Sequence, residues 1–339
     1  MGNLTCGNCI RKATEPGHAL LHDIRPDDQM RIQLNPAPDG RYKPVLLSAF
    51  LIRNARLHLA ALEQVLDFKS SLLSRLQPEV RRTYETLGAF KALEGVEPER
   101  LTFCELTKGG WFLGEADEER VVLGCLVAPD GSVTEGSMQA GVMHGSGLQV
   151  SPNGDYFQGI WNHGEIEGFG VFAQHTGGGY TGEWKESKQH GNGVETTLDG
   201  ARYEGEFSMG KKQGKGVFLW TDGSRYVGEF RGNAIEGVGE YVWADGRRYK
   251  GTWKGNKMNG QGTFTYPDGK VYTGSFREDK KCGYGEFSWP QGKSYAGNWK
   301  DNKMHGEGTL TSANGSEKKG RWEGGKLVEE GNFTELFDM

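Results

Sequence analysis

Along most of this chain, apolar and polar side chains alternate with a period of two. In Tyr226-Val-Gly228-Glu-Phe230 the tyrosine, glycine and phenylalanine fall on one face of an extended segment, because successive strand side chains point to opposite sides. Gly237-Val-Gly239-Glu-Tyr241-Val-Trp243 repeats the alternation. Both segments predict strands whose ring-bearing face lies over the bare backbone of glycines on neighbouring strands. The other face carries Val, Thr, Glu and Ser and is expected to be mostly wet. Between residues 44 and 93 the period changes. Val45, Leu46, Ala49, Phe50 and Arg53 begin a helical pattern that runs through Leu57, Ala61 and Leu62 toward Leu76 and stops at Pro78, and Glu79 to Leu93 predicts a second helix. This helical pair either covers the first edge of the sheet or offers a surface to a partner or a second copy. Residues 10–43, with Pro16, Pro26, Pro36 and Pro38, predict an extended linker.

The glycines set a longer period. Gly136, Gly159, Gly182, Gly205, Gly228, Gly251, Gly274, Gly297 and Gly320 are spaced by 23 residues, and the pairs from Gly145/Gly147 to Gly306/Gly308 keep the same step. Asp-Gly or Asn-Gly recurs with them, as at Asp222-Gly223 and Asp245-Gly246, and predicts tight turns with positive φ. Two strands per repeat at about 4.8 Å spacing predict a twisted antiparallel ribbon very roughly 80 Å long for nine repeats. The first repeat is degenerate, with Thr134 and Met138 at ring positions, and Gly177 once replaces the turn dipeptide. A weaker copy precedes it, in which Gly124 and Gly131 keep phase and Leu113 takes the first glycine position. Atypical ends suit a sheet that must protect its edges.

Composition separates this pattern from a flexible linker. Glycine is 54 of 339 residues, but 9 Trp, 12 Tyr and 16 Phe supply apolar surface that disordered glycine-rich chains lack. A net charge of -5 argues against a nucleic-acid partner. With no apolar run of about 20 residues and no secretory signal, the chain is expected on the cytosolic side. Five scattered cysteines do not read as a disulfide framework.

The pattern Tyr-x-Gly-x-Trp/Phe, a short loop, Gly-x-Gly and then Asp-Gly, over about residues 132–325, resembles the MORN (membrane occupation and recognition nexus) repeat. The resemblance implies a mainly β fold, an elongated ribbon of 23-residue hairpins, preceded here by a small helical region. The expected organisation is an acylated extended segment (1–43), a helical region (44–100), a degenerate β or capping segment (101–131), the repeat array (132–325) and a tail (326–339). MORN arrays also occur fused to lipid kinases and lysine methyltransferases, but the roughly 100 non-repeat residues are too few for a kinase and hold no Walker loop, Gly-x-Ser-x-Gly elbow or His-Glu-x-x-His. No catalytic residue, cofactor or metal site is expected. Glu183, Glu206 and Glu229 read as a solvated stripe, and His144, His190 and His305 as turn residues.

Met1-Gly2-Asn3-Leu4-Thr5-Cys6 offers Gly2 for N-myristoylation, with Cys6 in place of the usual Ser or Thr, and Cys6 and Cys9 lie where palmitoylation would add a second chain. Two acyl chains anchor firmly where one binds marginally. The same cysteines, with His18 and His22, form a rival zinc pattern of unusually short spacing. Residues 134–202 carry 3 positive and 8 negative side chains, against 17 and 14 in 203–317. Lys250, Lys254, Lys257 and Lys270 make one repeat basic, as an anionic-lipid contact or as ordinary surface charge. The candidate partner-binding face is Trp220, Tyr241, Trp243, Phe264, Tyr266, Phe287 and Trp289, whose rings serve either binding or hairpin stacking. The leading expectation is a non-enzymatic, membrane-tethered scaffold at the cytoplasmic face of a membrane or the cell cortex, holding protein partners of the cortical cytoskeleton. The second is a part of an axonemal, ciliary or other microtubule-based assembly. Open sheet edges, and the dimers known among MORN proteins, imply self-association.

Overall fold

The structure, a computed structural model, describes residues 69–70, 73–94, 96, 100–105, 110–115 and 122–331. Gly2, Cys6, Cys9, the rival zinc pattern, the linker and most of the first expected helix lie outside the described residues. The chain divides into two compact units, Met1–Lys188 and Gln189–Met339.

In the first unit, helix α1 (Pro78–Thr86) and a short 3-10 turn (Lys91–Leu93) precede strands β1 (Leu101–Glu105), β2 (Trp111–Glu115), β3 (Val122–Val127), β4 (Val133–Gln139), β5 (Val142–Val150), β6 (Tyr156–Asn162), β7 (Glu165–Ala173) and β8 (Gly179–Lys185). Each of these strands pairs antiparallel with the next. The second expected helix is shorter than the pattern suggested. Gly88 and Phe90 take positive φ (90° and 60°), which ends α1 before the 3-10 turn. A paired hairpin, β2 with β3, lies where the weak copy was expected, but Gly114, not Leu113, stands opposite Gly124. Leu113 turns to the other face and is buried.

That other face corrects the expected place of the helical region. Leu113, Cys125, Val127, Val133, Leu148 and Val150 form one core with Val80, Tyr84 and Leu93, whereas Phe112, Val122, Met138, Phe157 and Trp161 form a second core on the glycine side. The helical segment therefore lies on a face of the sheet and not over its edge, because these strands are apolar on both sides. Glu135 fixes it there. Its carboxylate accepts the hydroxyl of Tyr84 and the backbone N–H groups of Phe90 and Ala92. Burial holds the Glu135 carboxyl above its usual range despite these donors, and it pushes the Cys125 thiol up to about 12.

The second unit carries β9 (Lys188–Thr196), which starts at the boundary, and β10 (Arg202–Ser208), β11 (Lys211–Leu219), β12 (Arg225–Arg231), β13 (Ala234–Val242), β14 (Arg248–Lys254), β15 (Lys257–Thr265), β16 (Val271–Arg277), β17 (Lys280–Ser288), β18 (Ser294–Lys300), β19 (Lys303–Thr311), β20 (Glu317–Glu323) and β21 (Lys326–Glu330). They too pair antiparallel in sequence order. Pairing continues to Glu330, five residues into the segment read as a tail.

Each repeat has two different turns. Gly255-Asn256 and Asp301-Asn302 have positive φ at both residues (55° and 65°; 48° and 68°), the signature of a two-residue type I′ hairpin. At Asp222-Gly223 only the glycine is positive, and the Asp222 side chain accepts the N–H of Ser224 at 2.8 Å. The tightest turns thus fall at the variable dipeptides. Opposite them a bulge shifts the register between Gly228 and Glu229, where Gly237 takes φ 63°.

Candidate functional site

One sheet face of the second unit carries all the candidate rings, in two tiers. The lower tier is Tyr203, Tyr226, Tyr249, Tyr272 and Tyr295, all essentially buried. Each tyrosine lies over a pair of facing glycines: a Cβ added at Gly239 would sit 2.2 Å from the Tyr226 hydroxyl, so only glycine fits beneath the ring. The hydroxyl reaches the bulge and donates to the carbonyl of Glu229 at 3.2 Å, as Tyr249 does to Thr252 at 3.0 Å. Phe230, Trp253, Phe276, Trp299 and Trp322 pack edge-on against these tyrosines and are buried with them. Burial pushes the Tyr249 and Tyr295 hydroxyls up to about 12, and it raises those of Tyr203, Tyr226 and Tyr272 as well.

The upper tier is the candidate face. Phe218, Trp220, Tyr241, Trp243, Phe264, Tyr266, Phe287 and Trp289 form one unbroken series, with successive centroids 4.4, 4.9, 4.5, 5.4, 4.7, 6.0 and 4.4 Å apart. Phe264 and Phe287 are buried and act as its floor, while Trp220, Tyr241, Trp243, Tyr266 and Trp289 are half-buried. The polar ends of the tryptophans separate the tiers. Trp253, Trp299 and Trp322 donate their indole N–H to the carbonyls of Gly239, Gly285 and Gly308 at 3.0–3.3 Å. Among the described residues, the indole N–H groups of Trp220, Trp243 and Trp289 have no acceptor.

A family model for the MORN repeat matches residues 135–156, 157–178, 180–202, 203–225, 226–247, 249–271, 272–294 and 295–317, more than half of the chain. The chain belongs to the MORN-repeat family. No curated protein matches it. Among solved structures, it is similar to the TCP domain of SAS-4 (dCPAP) of Drosophila melanogaster, at 9% identity and TM-score 0.28 over 59% of this chain and 90% of that one. It is also similar to a mutant TCP10 domain of Danio rerio CPAP, at 10% identity and TM-score 0.23 over 68% and 98% of the two chains. A streptogramin B lyase aligns at 8% identity and TM-score 0.14 over 65% and 82%. Scores this low carry no functional argument.

Within the MORN repeats the four candidate lysines do not form one patch. Lys250, Lys254 and Lys257 lie on the face opposite the rings, and Lys270 sits at a turn. Lys257 pairs with Glu278, and Lys270 with Asp268 at 2.6 Å. Lys250 stands directly across from Glu240. His144, His190 and His305 are strand residues, in β5, β9 and β19, and not turn residues. Glu206 and Glu229 are exposed, as a solvated stripe requires, but each also accepts a backbone N–H at the bulge, from Lys215 and Val238.

Phe218, Lys281, Lys293, Lys212 and Arg247 all lie against the ring face and escaped the sequence reading. Phe218 extends the row and is the 23-residue equivalent of Tyr241. Lys293 sits 5.1 Å over the Trp289 ring. Lys281 is only 8% exposed, with its ammonium 4.9–5.4 Å from the rings of Tyr266, Tyr272, Phe287 and Trp299 and 2.9 Å from the Tyr266 hydroxyl, to which it donates. The signal was available: Ile235, Met258 and Met304 hold the same repeat position, which is a lysine at Lys212 and Lys281, and of these two Lys212 is paired with Glu195.

Proposed function

We propose that this MORN protein is a membrane-tethered scaffold whose upper ring tier docks protein partners. The observation that carries the docking reading is the contrast between two sets of tryptophans on one face. In the second unit, Trp253, Trp299 and Trp322 are buried with their indole N–H groups bonded to glycine carbonyls, whereas in the first unit the buried Trp161 has no acceptor. Trp220, Trp243 and Trp289 are half-buried with theirs free, which leaves exposed ring surface and donors for a partner beside the Arg247 and Lys293 side chains, and half-exposed aromatic side chains are frequent interface anchors. The tether rests on the sequence: Gly2 as the myristoylation site, with Cys6 and Cys9 supplying palmitoyl chains. Membrane placement through these chains and docking through the rings make an adaptor at a cytoplasmic membrane face, with cortical cytoskeletal proteins as the partner class.

The two halves separate experimentally. Gly2→Ala should shift the protein from the membrane to the soluble fraction of a cell lysate while its co-purifying proteins persist. Trp243→Ala should keep the membrane fraction and lose those proteins. Undiminished membrane recovery of Gly2→Ala would remove the tether, and unchanged co-purification by Trp243→Ala would remove the docking face.

A further inference from the structure

Given the docking role of the ring tier, its spacing, donors and charge specify the chemistry of the occupant. Trp220, Trp243, Tyr266 and Trp289 occupy one position in four successive repeats, each at the end of a strand, and are therefore two strands apart. Two strand spacings are about 9.6 Å. A polyproline II peptide has three residues per turn and a rise of about 3.1 Å, so it presents the same face every ~9.3 Å. Over the three steps from Trp220 to Trp289 the misfit accumulates to only about 0.9 Å. An extended strand presents one face every ~6.7 Å, and a helix returns to one face over a heptad in ~10.5 Å, so a helix drifts by about 2.7 Å over the same span. The repeat thus matches a left-handed three-residue helix better than either alternative.

The donors agree with the spacing. A polyproline II chain makes no internal hydrogen bonds, so its carbonyls are free. The indole N–H groups of Trp220, Trp243 and Trp289 lack acceptors within the described residues. Flat rings on either side of such donors suit the puckered, apolar surface of proline.

Charge sets the polarity. Arg247 lies 5.4 Å over Trp243 but is paired with Asp245 at 2.7 Å. At the Trp289 end, Lys281 and Lys293 have no carboxylate within ion-pair distance among the described residues, and the position held by aspartate in the two preceding turns is Gln291. This end of the row is cationic and uncompensated, and it complements a carboxylate on the occupant.

We propose that the row from Trp220 to Trp289 binds a proline-rich segment of a partner protein in the polyproline II conformation, with proline at every third residue and an acidic residue beside Lys293, in the field of the buried Lys281. The full chain would be titrated with a synthetic peptide carrying four prolines at three-residue spacing and two glutamates at one terminus, made in both polarities. Controls are a shuffled peptide of identical composition and a glutamate-free peptide of the same period. Tryptophan fluorescence should report saturable binding of the periodic peptide about tenfold tighter than the shuffled one, and Trp243→Ala should weaken it by a similar factor. Lys281→Met, whose side chain the sheet already accepts at Met258 and Met304, should abolish the advantage of the glutamates and leave the glutamate-free peptide unaffected. Equal binding of periodic and shuffled peptides, or no binding of either polarity, overturns the proposal. Self-association lost in Trp243→Ala without peptide binding would assign the row to a second copy of this chain, and it also overturns the proposal. The docking reading itself stands or falls on the co-purification test, so a failed titration alongside a positive co-purification removes only the peptide assignment.

Discussion

Tyr226 shows why this fold is written in tyrosine and glycine and not in generic apolar residues. Its ring occupies the space that a side chain at Gly228 or Gly239 would need, and its hydroxyl serves a carbonyl at the bulge. Gly239→Ala forces the buried ring or the backbone to move, and it should destabilise the second unit by about 1–3 kcal/mol in thermal or urea melts. Tyr226→Phe keeps the packing and removes one hydrogen bond, so it should cost about 1 kcal/mol. The same tyrosines make the sheet sensitive to alkali. A phenol that ionises near pH 10 when unfolded stays neutral to about 12 in the fold at Tyr249 and Tyr295. Folding therefore favours the protonated form. The stabilisation is complete below about pH 10 and is lost as pH rises from there toward 12. Melting temperature should fall through that window together with the rise of tyrosinate absorbance, and a melting temperature flat to pH 12 would contradict the burial of the hydroxyls.

At the scale of the element, each hairpin is clamped to the one before it by its type I′ turn. Asn256 donates its N–H to the carbonyl of Ile235 at 3.0 Å and accepts the N–H of Ile235 on its side chain at 2.7 Å, and Asn302 does the same to Lys281. Asn256→Gly keeps the left-handed backbone and loses only the side-chain bond, at about 1 kcal/mol. Asn256→Ala also pays the left-handed conformation, at about 1 kcal/mol more. Equal melting of the two variants would contradict the clamp. Glu135→Ala takes the carboxylate from three donors in the first unit, of which Tyr84 keeps Cys125 Sγ and Phe90 keeps the Tyr84 hydroxyl, so it should cost about 2 kcal/mol, with faster amide exchange at Ala92. The strands and glycine rows were legible in the sequence because both rest on a strict 23-residue period. The turns were less so. Asp-Gly is the stronger hairpin signal, yet the two-residue turns fall at dipeptides as different as Gly255-Asn256 and Glu278-Asp279, which no single motif captures. The face covered by α1 was partly visible in Val133, whose position holds Arg202, Arg225 and Arg248 in later repeats, but Leu148 and Val150 recur as Val217 and Val242, so a two-faced core cannot be told from an edge cap until the helix is placed. Within the candidate row, sequence spacing chose the rings but could not say that Phe264 and Phe287 are floor while Trp243 is rim, since that depends on the neighbouring turn.

For the whole molecule, the proposed function needs Gly2, Cys6 and Cys9 to carry acyl chains and needs one ring tier of the sheet to serve a partner while the other serves stability. The consequences for location follow from the chains: Cys6→Ser with Cys9→Ser should leave a protein that associates with membrane weakly, because a single myristoyl group binds only marginally, and membrane recovery equal to that of the unaltered chain would count against palmitoylation. The proposed docking role depends on the division between the two ring tiers. The most direct test measures melting and partner co-purification on the same purified variants, Trp220→Ala, Trp243→Ala and Trp289→Ala, with Trp253→Ala as the packing reference. Trp253→Ala should cost about 3–5 kcal/mol. The three rim variants should each cost less than about 1.5 kcal/mol, because their rings are already half-exposed, while losing the co-purifying proteins. Melting losses as large as that of Trp253→Ala at all three rim positions, with co-purification reduced only in proportion to unfolding, would show that the upper tier is packing and that the docking face lies elsewhere.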